Sequence, residues 1–483
     1  MKNKPYWILG LIGILAVIIV PLIVFWPKSA TKADDPWANV PEHPVHTSHA
    51  DIIKGPFESG QEVTRACLEC HPEAASDIMM TAHFTWESKP FVVPGRDVPV
   101  TIGKANQINN FCISAQGNQK SCMACHIGQG WQETTSPDQQ PFDFKNPENV
   151  DCLICHASSG YKKGTYGNPA EDVDLVAAAK SVAAPNRAMC GSCHFNGGGG
   201  NNVKHGDLDQ SLIFPNENLD VHMGKNNFVC TDCHTTEDHK IKGRLVVDNY
   251  TIEPEEQVTC TQCHSEQPHP DERLNSHTAT VACQTCHVPT LAVKDPTKLS
   301  WDWSTSGQDI GDDHFSYLKI KGSFVYDKNI TPVYTWYNGD LSYRYILGDK
   351  IDPTQVTYIN KLAGDITDQK AKIFPFKLHV SKQPYDTNFN HLLAPITSGP
   401  DGYWTNFDWV NAFKLAQDRM GLPFSGEFGF TETYMYWPST HMVQPKENAL
   451  QCAECHSANG RMDWKALGYP GDPIDFGGRF DNK

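Results

Sequence analysis

The feature that most constrains this chain is a pentapeptide, Cys-x-x-Cys-His, present eight times. The copies begin at Cys67, Cys122, Cys152, Cys190, Cys230, Cys260, Cys283 and Cys452, and their second cysteines are Cys70, Cys125, Cys155, Cys193, Cys233, Cys263, Cys286 and Cys455. The chemistry of the motif is specific. Two thiols add across the two vinyl groups of a haem, and the adjacent histidine binds the iron from one side. One copy could be a redox dithiol or half a zinc site. Eight copies, each followed by histidine, leave little room for either, and eight covalently bound c-type haems are expected.

The eight motifs use all but one of the 17 cysteines. A disulfide framework is thereby excluded, and Cys112 remains as a free thiol. Haem attachment of this kind takes place outside the cytoplasm, so the chain is expected on the periplasmic side. A length of 483 residues ordinarily suggests several domains. Here the haems supply apolar interior of their own, which fits a hydrophobic content of only 39%. The net charge of −16 disfavours nucleic acid and repels anions, so an anion site needs local positive charge. A structural calcium ion is kept as a further candidate cofactor.

Lys2 and Lys4 precede an uncharged apolar run over residues 6–26, and Asp34 and Asp35 follow it. A run of about 20 apolar residues is long enough to cross a bilayer, and the flanking charges put its start in the cytoplasm. The expectation is an inner-membrane anchor at 1–26, with a cleaved signal and a soluble periplasmic protein as the rival. Residues 27–50 read as a linker, 51–290 as a seven-haem region, 291–445 as a haem-poor insertion, and 446–483 as the eighth motif and tail.

Within 51–290 successive first cysteines are 55, 30, 38, 40, 30 and 23 residues apart. Haems this dense in sequence must touch in space, because no segment between them can form an independent core. The expected fold is mainly α with little regular β: short helices carrying haem motifs near their ends, around packed haems. In the insertion, residues 315–326 and 331–347 are aromatic and β-branched with turn signals at Asp327–Asn329 and Asn338–Asp340, and read as hairpins. Residues 406–420 carry Phe407, Val410, Phe413, Leu415 and Met420 at helical spacing, ended by Gly421. This part is expected to be a cover or docking surface.

Each motif supplies one axial ligand: His71, His126, His156, His194, His234, His264, His287 and His456. Thirteen histidines lie outside the motifs. The preferred distal ligands, beside motifs or in apolar settings, are His49, His83, His222, His239, His277, His391 and His441. His43, His46, His205, His269, His314 and His379 form a reserve whose ordinary reading is surface or hydrogen bonding. Seven candidates for eight irons leave one haem without a distal histidine. A bis-histidine iron moves electrons and has no open position, so an enzyme of this class needs one odd haem.

Two features point to it. Cys112 lies ten residues before Cys122. The four-glycine run Gly197–Gly200 cannot hold a helix or strand, and it leads through Asn201 and Asn202 to Lys204 and His205. A lysine whose affinity for protons is depressed by burial can ligate iron as the neutral amine. The bland alternatives are a small buried hydrophobe for Cys112 and a solvated surface side chain for Lys204.

The set of motifs resembles the octahaem tetrathionate reductase family of c-type cytochromes. The matching stretches are residues 48–57, 63–71, 81–86, the position of Cys112, 193–209, and 276–287 running into 298–304. The resemblance covers roughly residues 45–310 well and the last motif loosely. It implies a catalytic haem on the second motif, with His126 proximal, Lys204 distal and Cys112 close by. It also implies a further lysine after the seventh motif, for which Lys294 and Lys298 both fit. Where the family often carries an acid three residues before the distal lysine, this chain has Asn201, which puts the local proton supply in question.

Two functions of different class follow. One is an enzyme that reduces a small inorganic anion, tetrathionate, with nitrite or hydroxylamine as sub-variants. The related octahaem nitrite reductases carry a Cys-x-x-Cys-Lys motif, which none of the eight copies here has; a hydroxylamine oxidoreductase-like enzyme needs a cross-linked tyrosine. The other is a membrane-tethered conduit, relaying electrons from a donor protein or membrane quinol oxidase to another protein, with every haem inertly six-coordinate.

Overall fold

The computed structural model describes residues 35–108, 113–243 and 256–479. The anchor expected at 6–26 and Cys112 lie outside them. Among the described residues no helix is long and apolar enough to cross a membrane.

The motif-rich part is short helices and loops. Helix α1, Gly60–Leu68, begins at Ser59, whose hydroxyl accepts from the Glu62 amide, and it runs into the first motif. Helix α2, Arg187–His194, is capped by Asn186, which accepts from the Ala188 and Met189 amides, and it carries the fourth motif at its end. Elsewhere a motif forms little more than one turn, as at Leu153–His156, Cys230–Cys233, Cys283–His287 and Cys452–Cys455. This suits the chemistry: one turn suffices to put two thiols and an imidazole on one side. Around the second motif, Phe84, Met123, Ile127, Trp131, Phe142 and Val150 form a dense apolar cluster.

The C-terminal half is built on a seven-stranded mixed sheet. Its strands are β1 Thr297–Asp302, β2 Tyr317–Leu318, β3 Gly322–Asp327, β4 Val333–Tyr337, β5 Thr357–Tyr358, β6 Lys372–Asp386 and β7 Phe428–Pro438. The order is β2-β3-β1-β6-β7-β5, with β4 also on β6. β6 and β7 pair antiparallel from Phe376 opposite Pro438 to Asp386 opposite Phe428, while β1 runs parallel to β6. Neither expected turn closes a hairpin. Residues 315–326 fold back on themselves as β2 and β3, but around 319–321, and beyond Asp327–Asn329 β3 pairs with β1 and not with β4; at Asn338–Asp340 β4 pairs with β6, and Leu341–Arg344 pairs with Asn360–Leu362. The turn at Asn338–Asp340 exists, but the long strand β6 offers β4 a partner and an apolar cluster around Tyr337, Phe374 and Phe376. Helix α3, Trp409–Met420, is closed by Asp408 at its start and by Gly421, at φ 67°, at its end.

Strand β6 alternates on two buried faces. One carries Phe374 and Phe376; the other carries Lys377, His379, Ser381 and Gln383, every one at most 2% exposed. Of these, Lys377 reaches the loop that holds Lys204, and the Ser381 hydroxyl donates to the Trp301 carbonyl of β1.

Candidate haem sites

A connected cavity of about 3740 Å³ runs through the body, lined by His71, His126, His156, His194, His234, His264 and His287 among other residues. The motifs meet one another along it. The thiols of Cys67 and Cys152 are close neighbours, as are Cys125 with Cys193, Cys190 with Cys230, and Cys260 with Cys283. The first motif thus touches the third, the fourth touches the second and fifth, and the sixth touches the seventh.

The histidines test whether haem fits. Two imidazoles on one iron, each bonded at about 2 Å, have ring centres roughly 6 Å apart. Six motif histidines face a second histidine at that spacing. The pairs are His71 with His49 at 6.3 Å, His194 with His83 at 6.2 Å, and His264 with His222 at 6.2 Å. The others are His234 with His441 at 6.3 Å, His287 with His269 at 6.1 Å, and His456 with His277 at 6.3 Å. A seventh, His156, has His239 as an electrostatic neighbour.

The second ring nitrogen supports the same reading. A ligating imidazole presents one nitrogen to the metal and anchors the other on the protein. Here Nδ1 is the anchored atom at His49 on the Thr47 carbonyl (2.8 Å), His156 on Ala183 (3.2 Å), His234 on Lys242 (2.7 Å) and His277 on Arg273 (2.8 Å). His456 Nδ1 donates to Asp472 at 2.6 Å, and His441 Nδ1 lies 3.5 Å from Asp207. In each of these the other nitrogen, Nε2, makes no hydrogen bond among the described residues. The residues fit haem.

His391 does not follow the pattern. It is 2% exposed, but its Nε2 bonds the Pro423 carbonyl at 3.0 Å and its ring packs on Phe389. The structure puts His269, from the reserve, opposite a motif histidine and puts His391 elsewhere. An apolar setting predicted burial, and burial served packing. Of the remaining reserve, His43 bonds Asp232, His46 packs on His49, His205 packs on Trp437, His314 packs on Phe315, and His379 is buried on β6.

The second motif is the exception. His126 Nε2 donates to the Phe84 carbonyl at 2.8 Å, while Nδ1 accepts from the Gly128 amide and the Trp131 indole. Burial pushes its pKa down to about 3. Among the described residues no histidine ring stands opposite it at the spacing of the other pairs; Lys204 lies in the same part of the cavity, 8% exposed, with its Nζ 5.5 Å from the Trp437 ring centre. Burial, then the neighbouring charge of Lys104, holds the Lys204 amine well below its usual range. Lys104 contacts Lys204 directly, and both lie near Cys122 and Cys125. Arg344, 1% exposed and bonded to Gln107, lines the same region.

Lys294 and Lys298 are not part of this group. Lys294 is exposed. Lys298 is buried in a cage of Trp301, Phe324 and Tyr326, its Nζ 4.0, 4.4 and 5.2 Å from the ring centres, and burial lowers its pKa to about 7. Asn201 bonds Asp295 at 2.6 Å and accepts from the Gln210 amide. The cations beside Lys204 are instead Lys104 and Arg344, which no motif marks. Among the described residues no group of three or more His, Cys, Asp or Glu side chains is arranged to hold a metal ion, so none is assigned to calcium.

Comparison with known proteins agrees with these sites. The family described as bacterial cytochrome c matches residues 298–459, and that of cytochrome c7 and related cytochrome c matches 216–288. No curated protein matches. The crystal structure of octahaem cytochrome c from Shewanella oneidensis is similar at 46% identity and a TM-score of 0.82, covering 89% of this chain and 98% of that one. Paired imidazoles at iron spacing, anchored through Nδ1, are what a covalently bound haem array requires, and the chain belongs to the octahaem cytochromes c.

Proposed function

We propose that the chain binds eight c-type haems, seven of them between two histidines, and reduces tetrathionate at the eighth, on the second motif, with nitrite or hydroxylamine as further substrates. The observation that carries this reading is the asymmetry at His126: six other motif histidines pair with a second histidine ring at iron spacing, whereas this one does not, and the buried amine of Lys204 lies near its motif's Cys122 and Cys125. Lys204 would hold the iron from the distal side, and its burial favours the neutral amine that can ligate. His126 would hold it from the other side through Nε2, the nitrogen that here donates to the Phe84 carbonyl.

Bound haem supplies the electron path and an iron with an exchangeable position. The protein supplies the rest. Lys104 and Arg344 offset the acidic surface and draw in a dianion. Cys112, as thiolate, attacks the central S–S bond of tetrathionate. One thiosulfate leaves with the electron pair of that bond, and a Cys112–thiosulfate adduct remains. Two electrons from the donor side cleave the adduct, releasing the second thiosulfate and restoring the thiolate. The donor is a periplasmic electron-transfer protein or a membrane quinol oxidase, and residues 6–26 tether the body to the inner membrane.

Low-temperature EPR of the haem-loaded protein tests the reading. One lysine-ligated signal beside seven bis-histidine signals is expected. Lys204→Leu should convert that one haem to a high-spin form and alter anion reduction. Eight bis-histidine signals, or a Lys204→Leu variant with every haem low-spin and turnover intact, would favour the conduit.

A further inference from the structure

The loop that carries Lys204 is held from behind by another lysine. Lys377, on β6, is 2% exposed. Its Nζ lies 2.8 Å from the Val203 carbonyl, 2.8 Å from the Lys204 carbonyl and 2.5 Å from the Thr297 hydroxyl. The Thr297 hydroxyl donates its one proton to the Asn202 carbonyl at 2.5 Å. Its oxygen is therefore the acceptor toward Lys377. Carbonyls only accept, so all three bonds originate on Lys377, and an amine that donates three bonds is an ammonium. Burial works against that charge; three well-placed acceptors hold it.

The consequence is local. Three successive carbonyls, of Asn202, Val203 and Lys204, converge on Thr297 and Lys377. Asn202 sits in the left-handed region at φ 55°, its side chain accepting from the Gly206 amide at 2.9 Å and donating to the Asp295 carbonyl at 2.8 Å. The Ala292 amide closes the loop on the Gly206 carbonyl at 2.6 Å. The glycine run gives this loop freedom, and these bonds remove it again just where the long Lys204 side chain departs.

We propose that Lys377 is the positioning residue for Lys204: by fixing the 203 and 204 carbonyls it aims the Lys204 amine at the second-motif haem. The proposal rests on the reading of Lys204 as distal ligand. It gives the C-terminal sheet a part in the site, although its strands carry no haem motif.

The test uses the full haem-loaded protein and the lysine-ligated EPR signal. Lys377→Met keeps the side-chain length and removes all three donors. It should lose more than half of that signal to a high-spin form, with the seven bis-histidine signals unchanged. Lys377→Arg, which keeps charge and donors, should restore most of it. A merely structural lysine would lower the unfolding temperature of Lys377→Met and leave the signal whole, and that result would overturn the proposal. If Lys377→Met does not fold, Thr297→Val removes one acceptor at constant shape. A partial loss of the same signal supports the clamp, and an unchanged signal overturns it. Loss of the signal in Lys204→Leu but not in the clamp variants would sink this inference alone; absence of the signal from the unsubstituted protein would sink it together with the function it rests on.

Discussion

His269 and His287 face each other with their rings 9° from parallel and 6.1 Å between centres. His391, buried as deeply as a ligand would be, has its Nε2 on a backbone carbonyl instead. The two histidines should respond differently to removal. His269→Leu should leave one haem without its distal ligand and add a high-spin signal. His391→Leu should leave every haem signal intact and act only on stability. Magnetic circular dichroism of both variants separates them, and a spectral change in His391→Leu would refute this reading.

A buried ion pair joins the second and third motifs. Lys163 and Asp151 lie 3.4 Å apart with side chains 2% exposed. Lys163 also donates to the His126 and Gly128 carbonyls, and Tyr161 donates to Asp151 at 2.6 Å. Asp151 further accepts from the Leu153 and Ile154 amides at the start of the third motif's turn. Asp151→Ala would strand the ammonium in the interior. A loss of about 3–5 kcal/mol is expected from breaking one side of such a pair. Chemical unfolding of the haem-loaded protein measures it; a loss under about 1 kcal/mol, the range of surface pairs, would contradict the burial argument.

Haem stoichiometry can be checked directly. Eight complete motifs should add on the order of 5 kDa of haem to the chain. Intact-mass spectrometry of the exported protein reads this, and the same spectrum shows whether residues 1–26 are retained. A mass short by one haem would mean an unused motif.

What could be read from the chain divides along a physical line. A covalent motif is local, so all eight Cys-x-x-Cys-His copies were legible from residue order. Helix α3 was legible in part: its glycine stop is local, but it starts at Trp409, leaving Phe407 outside at φ 54°, and Val410 is exposed. Distal ligation is not local. His269 sits between Pro268 and Pro270 and reads as a surface loop, whereas His391 sits in an apolar run and reads as buried. Both readings were reasonable for their neighbourhoods, and the tertiary structure sets His269, not His391, opposite a motif histidine. Strand β6 escaped for a related reason. Pro375 and Pro384 argue against a long strand, and the alternation Lys377, His379, Ser381, Gln383 looks like a solvent face. That face is buried: Lys377 meets the Lys204 loop, and Ser381 bonds the Trp301 carbonyl of β1. Lys104 and Arg344 carry no motif at all, and only the fold brings them to Lys204.

Asp209 carries a pH dependence whose sign is fixed. Its side chain is wholly buried, one carboxylate oxygen has no hydrogen-bond partner, and burial raises its pKa from 3.8 to about 6. The folded state therefore binds this proton more tightly than the unfolded chain does. Its contribution favours the fold below pH 4 and is lost as the pH rises through about 6. The shift corresponds to roughly 2–3 kcal/mol. Asp209→Asn keeps the cap on the Ser211 amide and removes the titration. Stability measured from pH 4 to 7 should fall less steeply in the variant than in the parent; parallel curves would show that Asp209 does not titrate in this range.

Cys112 separates the sulfur chemistry from the rest. If its thiolate opens the S–S bond, it acts on tetrathionate and has nothing to attack in nitrite or hydroxylamine. Cys112→Ala should then lower tetrathionate turnover by at least tenfold and nitrite turnover by less than about twofold, since removing a covalent nucleophile costs only the reaction that uses it. The haem spectra should be unchanged, because the residue is not an attachment cysteine. Cys112→Ser offers a control: a hydroxyl is a far weaker nucleophile toward sulfur, so it should fail as alanine does. Steady-state rates with both substrates decide the matter. Equal losses on both would assign Cys112 to the structure of the pocket, and equal retention would move the S–S cleavage to the iron alone.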